Sequence, residues 1–163
     1  MIQVILLSLL SLFHASFIKS KNTDPHYWQH TLNTTTQNNW FGLTYEKVAM
    51  AHIPQILRAI GMDRILTEYY SWRSQSSDPG AQIDLIIDWA DGFLNLCEVK
   101  YAKGDYALTK AEAEKIDNRV GAFQQETGTD KNILVTLITV KPVKENAWTD
   151  TVSSFVTLRD LLV

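Results

Sequence analysis

The run NILVTLITV, at residues 132–140, is nearly continuous in apolar and β-branched side chains. It predicts a strand covered on both faces, because a strand with one solvated face alternates apolar and polar residues. Such a strand needs other layers of structure above and below it. The run therefore restricts the chain to a layered fold.

A well-marked helix directly precedes this strand. Thr109-Lys110-Ala111-Glu112 forms a capping-box pattern, in which the threonine and the glutamate each accept a hydrogen bond from the other's backbone amide. Gly128 is the expected end of the helix, and its apolar residues recur at helical spacing: Ala113, Ile116, Val120 and Phe123. A helix that leads into a buried strand predicts a crossover connection.

Residues 83–101 predict a β-hairpin, with the apolar strands IDLIIDW and FLNLCEVKY on either side of Ala90-Asp91-Gly92. Further strands are expected over residues 65–72 and 155–158, with a loop over 74–80 and a helical turn over 159–163. This order predicts an α/β fold in which helices flank a mixed sheet, built from an antiparallel hairpin plus a crossover strand.

Helical spacing begins at Gly42, with Thr44 as a plausible N-cap and Gly61 as a stop. Pro54 should kink this helix because proline lacks a backbone donor. Residues 1–39 are interpreted as an N-terminal apolar segment and a polar connection that pack on the domain. Residues 40–163 are interpreted as the domain itself.

The apolar stretch at residues 2–13 resembles the core of a secretory signal, but no basic residue precedes it and Lys19 follows it. It is also too short to span a bilayer. We therefore expect a cytoplasmic protein without a membrane partner. Export, with residues 1–16 acting as a signal peptide, is the alternative.

Composition excludes several classes of protein. The net charge of −3 excludes nucleic-acid binding by bulk positive charge, so contact with a polyanion requires local basic residues or a metal ion. The single cysteine, Cys97, excludes an internal disulfide. Lys110, Lys115 and Arg119 alternate with acids and are interpreted as a solvated helix face.

Two acids lie in the hairpin where apolar residues would be expected. A three-residue turn at 90–92 pairs Ile86 with Leu96 and sets Asp84 against Glu98. By strict alternation, Asp84 shares a face with Ile86, and Lys100 shares one with Glu98. Directly opposed residues have Cβ atoms roughly 4.5–5.5 Å apart, and like charges at that distance are destabilising.

Three arrangements would offset this repulsion: a raised pKa that leaves one acid neutral, a lysine partner, or a bound divalent cation. Two converging carboxylates suit Mg²⁺ or Mn²⁺, and Lys100 lies beside the pair. The other interpretation is ordinary: Asp84 is solvated at the start of its strand, and Glu98 and Lys100 form an exposed pair on a sheet edge.

Asp84, followed after thirteen residues by Glu98-Val99-Lys100, resembles the PD-(D/E)XK phosphodiesterase superfamily. More narrowly, three segments resemble the C-terminal nuclease-like domain that follows the ATPase module in a family of prokaryotic AAA+ ATPases: TYEKVAMAHIPQIL, GAQIDLIIDWADGFLNLCEVKYAKGDY and ILVTLITV. This resemblance implies a restriction-endonuclease-like core and hydrolysis of DNA with Mg²⁺ or Mn²⁺.

The resemblance also implies a role for individual residues. Asp84, Glu98 and the backbone carbonyl of Val99 would be metal ligands, and Lys100 would be catalytic together with the two acids. Glu46, in the first helix, matches an acid that many members add to the site. Gln82 matches the polar residue that precedes the aspartate; it would position a water or hydrogen-bond across the strands.

The chain departs from this ATPase family because it contains no GxxxxGK[ST] phosphate loop. Nucleotide hydrolysis is therefore not expected, and the chain is interpreted as the nuclease-like part of such a protein without its ATPase module. The alternative is a catalytically inactive module that binds nucleic acid or protein and works with an ATPase.

Overall fold

The computed structural model describes residues 35–75 and 80–163 of the chain. The chain divides into two compact units, Met1–Val48 and Ala49–Val163. The apolar segment and residues 1–16, for which a signal peptide was the alternative, lie outside the described residues, so their interpretation stays a prediction. No helix in the described part of the chain is long and apolar enough to cross a membrane.

Two helices open the described chain, α1 over Thr35–Ala51 and α2 over Ile53–Ala59. They are separated at His52, and Pro54 lies in the first turn of α2, where a missing backbone donor costs little. The predicted interruption at Pro54 is therefore confirmed. Gly61 adopts a left-handed conformation with φ of 77° just beyond α2, which agrees with the predicted stop.

The predicted start of this helical region is wrong. Thr44 lies inside α1 and is buried, so it is not an N-cap, and the described residues of the polar connection, 35–39, are helical. Threonine, asparagine and glutamine disfavour a helix interior by only about 0.7 kcal/mol each or less, so a polar composition does not exclude a helix.

The second unit contains a five-stranded mixed sheet in the order β1-β2-β3-β5-β7. β1, β2 and β3 are antiparallel, whereas β3, β5 and β7 run parallel. The five strands span Thr67–Arg73 (β1), Gln82–Trp89 (β2), Phe93–Lys100 (β3), Asn132–Thr139 (β5) and Ser154–Thr157 (β7). The α/β class, the antiparallel hairpin and the parallel crossover strand are confirmed.

Three short elements of the second unit were not predicted. β4 at Tyr106–Ala107 and β6 at Val143–Lys144 form a separate two-stranded parallel sheet, and a 3₁₀ helix spans Thr149–Thr151. The chain ends in α4 at Leu158–Leu161, which corresponds to the predicted terminal turn.

Helix α3, at Lys110–Thr127, connects β3 to β5. Both hydrogen bonds of the capping box are present, and Gly128 ends the helix in a left-handed conformation with φ of 65°. Its apolar stripe packs on the sheet in two clusters, which include Ala113 and Ile116 with Leu137, and Phe123 with Leu94 and Leu96. The helix therefore covers one face of the central strands.

A β-bulge interrupts β2 at Asp84 and Leu85. Tyr70 pairs with Ile86 but Trp72 pairs with Ile83, so two residues of β2 lie opposite Ser71 of β1. As a result, Ile83 and Ile86 belong to one apolar cluster with Phe123. The predicted strict alternation around Asp84 is wrong for this physical reason.

Candidate functional site

Glu98 and Lys100 lie at the end of β3, the middle strand of the sheet. β3 lies between β2 and β5 in the sheet, and Glu98 and Lys100 are paired in parallel with Leu137 and Thr139 of β5. The Glu98 and Lys100 side chains are 19% and 31% exposed. The interpretation of Glu98 and Lys100 as an ordinary exposed edge pair is therefore wrong.

The Glu98 carboxylate is held by two cations. Lys100 Nζ lies 2.7 Å from Glu98 Oε1, and Arg119 Nη1 donates a hydrogen bond to Glu98 Oε2. An acid that is mostly removed from water is tolerated only when it is paired and hydrogen-bonded. Lys100 and Arg119 supply that compensation within the chain.

Sequence reasoning undervalued Arg119, which it assigned to a solvated helix face. The residue lies on α3 three positions after Ile116 and four before Phe123, both of which are buried. A long arginine side chain at such a position can pack its stem on the apolar stripe and direct its charge to a nearby acid. The i, i+3 and i+4 spacing to buried residues indicates that Arg119 borders the buried face of α3, but it does not identify the acid that Arg119 pairs with.

Asp84 is held by a separate set of partners on β2 and β1. Its Oδ1 accepts a hydrogen bond from Gln82 Nε2, and Gln82 Oε1 in turn accepts one from Arg73 Nη2. Gln82 and Arg73 are also direct partners in the β1–β2 register. The structure thus brings Gln82 and Asp84 together, and the supporting role of Gln82 stays a prediction.

The β2–β3 register agrees with the predicted one as far as it extends. Ile86 is paired with Leu96, and the paired residues end at Leu85 and Cys97. Asp84 and Glu98 are not a registered pair, and Ile83 is the β2 residue that lines the cavity beside Glu98. The bulge at Asp84 and Leu85 interrupts the alternation on which the predicted opposition of the two acids rested, so that opposition stays a prediction.

A third acid contributes to the charges around Lys100. Tyr106 Oη donates a hydrogen bond of 2.8 Å to Glu112 Oε1, on the first turn of α3. Burial alone would raise the pKa of Glu112, but hydrogen bonds from Thr109 and Tyr106 and the charge of Lys100 lower it below its usual value. Lys100 therefore acts electrostatically on Glu112 while it pairs with Glu98.

The Tyr106 hydroxyl stays protonated in this setting. Burial, the hydrogen bond to Glu112, and the negative charges of Glu112 and Glu98 all raise the pKa of Tyr106 above its ordinary value of 10.0. The tyrosine is therefore a hydrogen-bond donor at neutral pH and not a base.

A cavity of about 20 Å³ lies beside Glu98, under α3. Apolar side chains form most of its wall, with Glu98 and Arg119 as its charged members. This volume is enough for about one water molecule and far too small for a nucleotide.

Val99 and Glu46 lie in different elements of the fold. Val99 is paired with Ile138 of β5, within the parallel ladder. Glu46 lies in α1 and belongs to the first compact unit, whereas the other site residues belong to the second. The supporting role of Glu46 and the ligand role of the Val99 carbonyl stay predictions.

The donor set fits Mg²⁺ or Mn²⁺ in the type of its ligands, although it is small. Within residues 35–75 and 80–163, no three or more His, Cys, Asp and Glu side chains are grouped so that they could hold a metal ion. Mg²⁺, however, is commonly held by one or two carboxylates with water and substrate oxygens as the other ligands. Asp84 and Glu98 are carboxylates of this type, and each is held by other side chains: Asp84 by Gln82, and Glu98 by Lys100 and Arg119.

Comparison with known proteins does not show a family. No protein-family model matches the chain, and no curated protein matches it. A solved structure described as "Crystal Structure of Protein of Unknown Function AF1548" is similar, with a TM-score of 0.48 and 16% sequence identity. The similarity covers 72% of this chain and 64% of that protein, so the chain spans less than two thirds of its length.

Proposed function

We propose that this protein is a metal-dependent phosphodiesterase that hydrolyses DNA, with Asp84, Glu98 and Lys100 at its active site. The observation that supports this proposal best is the 2.7 Å ion pair between Lys100 and Glu98 on the middle strand. Asp84 follows one step beyond the last paired residues of the neighbouring strand. Two acids and a lysine at one end of a central hairpin are the groups that the reaction needs.

Each residue has a role that its chemistry allows. Asp84 and Glu98, with the carbonyl of Val99, would hold Mg²⁺ or Mn²⁺, which in such sites polarises a phosphodiester and lowers the pKa of a water. Lys100 would orient the attacking water and stabilise negative charge that develops on the phosphate. Gln82 would fix the orientation of Asp84 through their hydrogen bond.

Cleavage of plasmid and single-stranded DNA, with Mg²⁺ or Mn²⁺ and with a chelator, tests this proposal. We expect metal-dependent cleavage by the wild type and a loss of about 100-fold or more in Glu98→Gln and Lys100→Met, since each removes a group that acts in the transition state. Glu114→Gln is the matched control, because Glu114 lies on the exposed side of α3 and, within the described residues, its ion pair is with Lys110. Absence of metal-dependent cleavage by the wild type would overturn the proposal.

The second candidate is a catalytically inactive module that binds nucleic acid or protein and works with an ATPase. The full pairing of Glu98 with Lys100 and Arg119 favours it, because this pairing neutralises the acid without a metal ion. A melting temperature unchanged by Mn²⁺, together with retained binding of DNA or of an ATPase partner, would support this candidate over the enzyme.

We further propose that the protein acts in the cytoplasm. Cys97 is a free, buried thiol, which suits a reducing compartment. The exported alternative predicts removal of the N-terminal segment. Intact mass of the protein isolated from its host cells distinguishes the two.

A further inference from the structure

We propose that Arg119 competes with a divalent cation for the carboxylate of Glu98, and that this competition sets how tightly the protein binds metal. The cation's presence at Glu98 rests on the proposed function. The competing contact is seen in the structure: Arg119 Nη1 donates a hydrogen bond to Glu98 Oε2. A metal ion that uses this oxygen must displace the guanidinium.

The position of Arg119 makes this competition strong. The capping box fixes the start of α3, and the buried side chains of Ile116 and Phe123 pack it on the sheet. Arg119 lies between these two residues in the sequence. The backbone of Arg119 is therefore held next to Glu98. The competitor is a guanidinium, which carries a positive charge and a rigid set of hydrogen-bond donors.

The partial exposure of the Arg119 side chain makes displacement feasible. The Arg119 side chain is 33% exposed, and its head group is anchored at Glu98 and not enclosed by the core. A guanidinium released from Glu98 can turn towards solvent and present its donors to a phosphate oxygen. Metal binding at Glu98 would thus convert Arg119 from a partner of the acid into a group available to an anion.

The positive charge around Glu98 also weakens the binding of a divalent cation. Lys100 and Arg119 place two positive charges on one carboxylate, and Lys100 also acts on Glu112. Like charges repel an arriving divalent cation, most of all where solvent screens them incompletely. Removal of Arg119 takes away one repelling charge and also frees one oxygen of Glu98 as a ligand. Removal of a distant cation frees no ligand oxygen and reduces the repulsion only weakly.

The test is titration of the full chain with Mn²⁺ alone, followed by the electron paramagnetic resonance signal of the free ion. We expect Arg119→Gln to bind Mn²⁺ about fivefold more tightly than the wild type. The effect is of this size because the wild type must first break the partly exposed ion pair between Arg119 and Glu98, and such pairs contribute modestly. Arg119→Lys should bind with an intermediate affinity. Lys115→Gln is the charge-matched control, because Lys115 is exposed on the same helix and should leave the affinity within about twofold.

The outcomes separate this inference from the proposed function. Tighter binding in Arg119→Gln supports the competition, even if neither protein cleaves DNA or only the variant binds detectably. An equal change in Lys115→Gln and Arg119→Gln would overturn it, since the effect would then be one of net charge. Weaker binding in Arg119→Gln, or no binding in either protein, would also overturn it. Circular dichroism measures whether each variant is folded. If Arg119→Gln does not fold, the affinity of Arg119→Lys for Mn²⁺ is compared with that of the wild type instead.

Discussion

Glu98 illustrates how an acid can occupy the middle strand of a sheet. Its two oxygens are used by Lys100 and Arg119, and the three side chains stay partly accessible at the end of β3. Such a triad is coupled, because removal of the acid takes the ion-pair partner from two neighbouring cations at once. The coupling can be measured as a difference in the free energy of unfolding.

A double-mutant cycle should show that coupling. We expect Glu98→Gln and Arg119→Gln each to lower the free energy of unfolding by about 1 kcal/mol, and the double variant to lower it by less than their sum. Urea denaturation measures all four proteins. Strict additivity of the two changes would mean that the ion pair does not stabilise the fold.

Cys97 is expected to be chemically inert in the folded protein. Its side chain is buried on β3, and burial raises the pKa of its thiol to about 12 from an ordinary value of 9.0. Since the thiolate is the reactive form, iodoacetamide at pH 8 should label Cys97 only after urea unfolds the chain. Rapid labelling of the native protein, followed by mass spectrometry, would contradict this burial.

The sequence predicted part of the site and missed the rest for a physical reason. Glu98 and Lys100 share a face because strand residues alternate, so their contact followed from spacing alone. Arg119 belongs to a helix whose docking angle is not encoded in a local pattern. Its partner across the crossover could therefore be found only once α3 was placed on the sheet.

The first turn of α3 depends on a reciprocal pair of hydrogen bonds. Thr109 Oγ1 accepts from the Glu112 amide at 3.3 Å, and Glu112 Oε2 accepts from the Thr109 amide at 3.0 Å. The pKa of Glu112 is thereby lowered below its ordinary value of 4.5. A lowered folded pKa stabilises the protein above pH 4.5, and that contribution is lost as the pH falls through the folded value.

Thr109→Ala should accordingly lower the free energy of unfolding by about 1 kcal/mol at pH 7, as the loss of an N-cap usually does. The difference from the wild type should shrink as the pH falls through the lowered pKa of Glu112, because the carboxylate that accepts from Thr109 is then lost in both proteins. Thr127→Ala, the same change at the other end of α3, should cost less than about 0.5 kcal/mol. A difference that grows towards acid pH would contradict the assigned role of Glu112.

The elements that sequence reasoning identified correctly carry strong local signals. α3 has a capping box and a terminal glycine, and the β2–β3 hairpin has a three-residue turn whose Gly92 adopts φ of 89°. α1 lacks such a signal, since the polar residues at its start favour no single structure. The bulge at Asp84 was also hidden, because it depends on the register of β2 against β1.

The sheet order follows from two connections that the sequence made visible. The hairpin makes β2 and β3 antiparallel, and α3 carries the chain to a parallel β5 beside β3. The apolar run that forms β5 was expected to be covered on both faces, and Val135–Thr139 are all buried. The position of β7 depended on a later, shorter segment and was predicted only as an added strand.

Backbone protection should reflect this order. Amides of β3 and β5, in the middle of the sheet, should exchange with solvent more slowly than those of β1 and β7, which form its edges, because middle strands are paired on both sides. Hydrogen–deuterium exchange followed by mass spectrometry measures the difference. Protection of β1 equal to that of β3 would contradict the described order.

We propose that Asp84 and Glu98 hold one divalent cation between them. Electron paramagnetic resonance of Mn²⁺ titrated into the wild type, Asp84→Asn, Glu98→Gln and the control Glu114→Gln tests this proposal. We expect one bound ion in the wild type and in the control, and a loss of about tenfold or more in affinity in either hairpin variant. Wild-type binding that survives in both Asp84→Asn and Glu98→Gln, or no binding by the wild type, would contradict it.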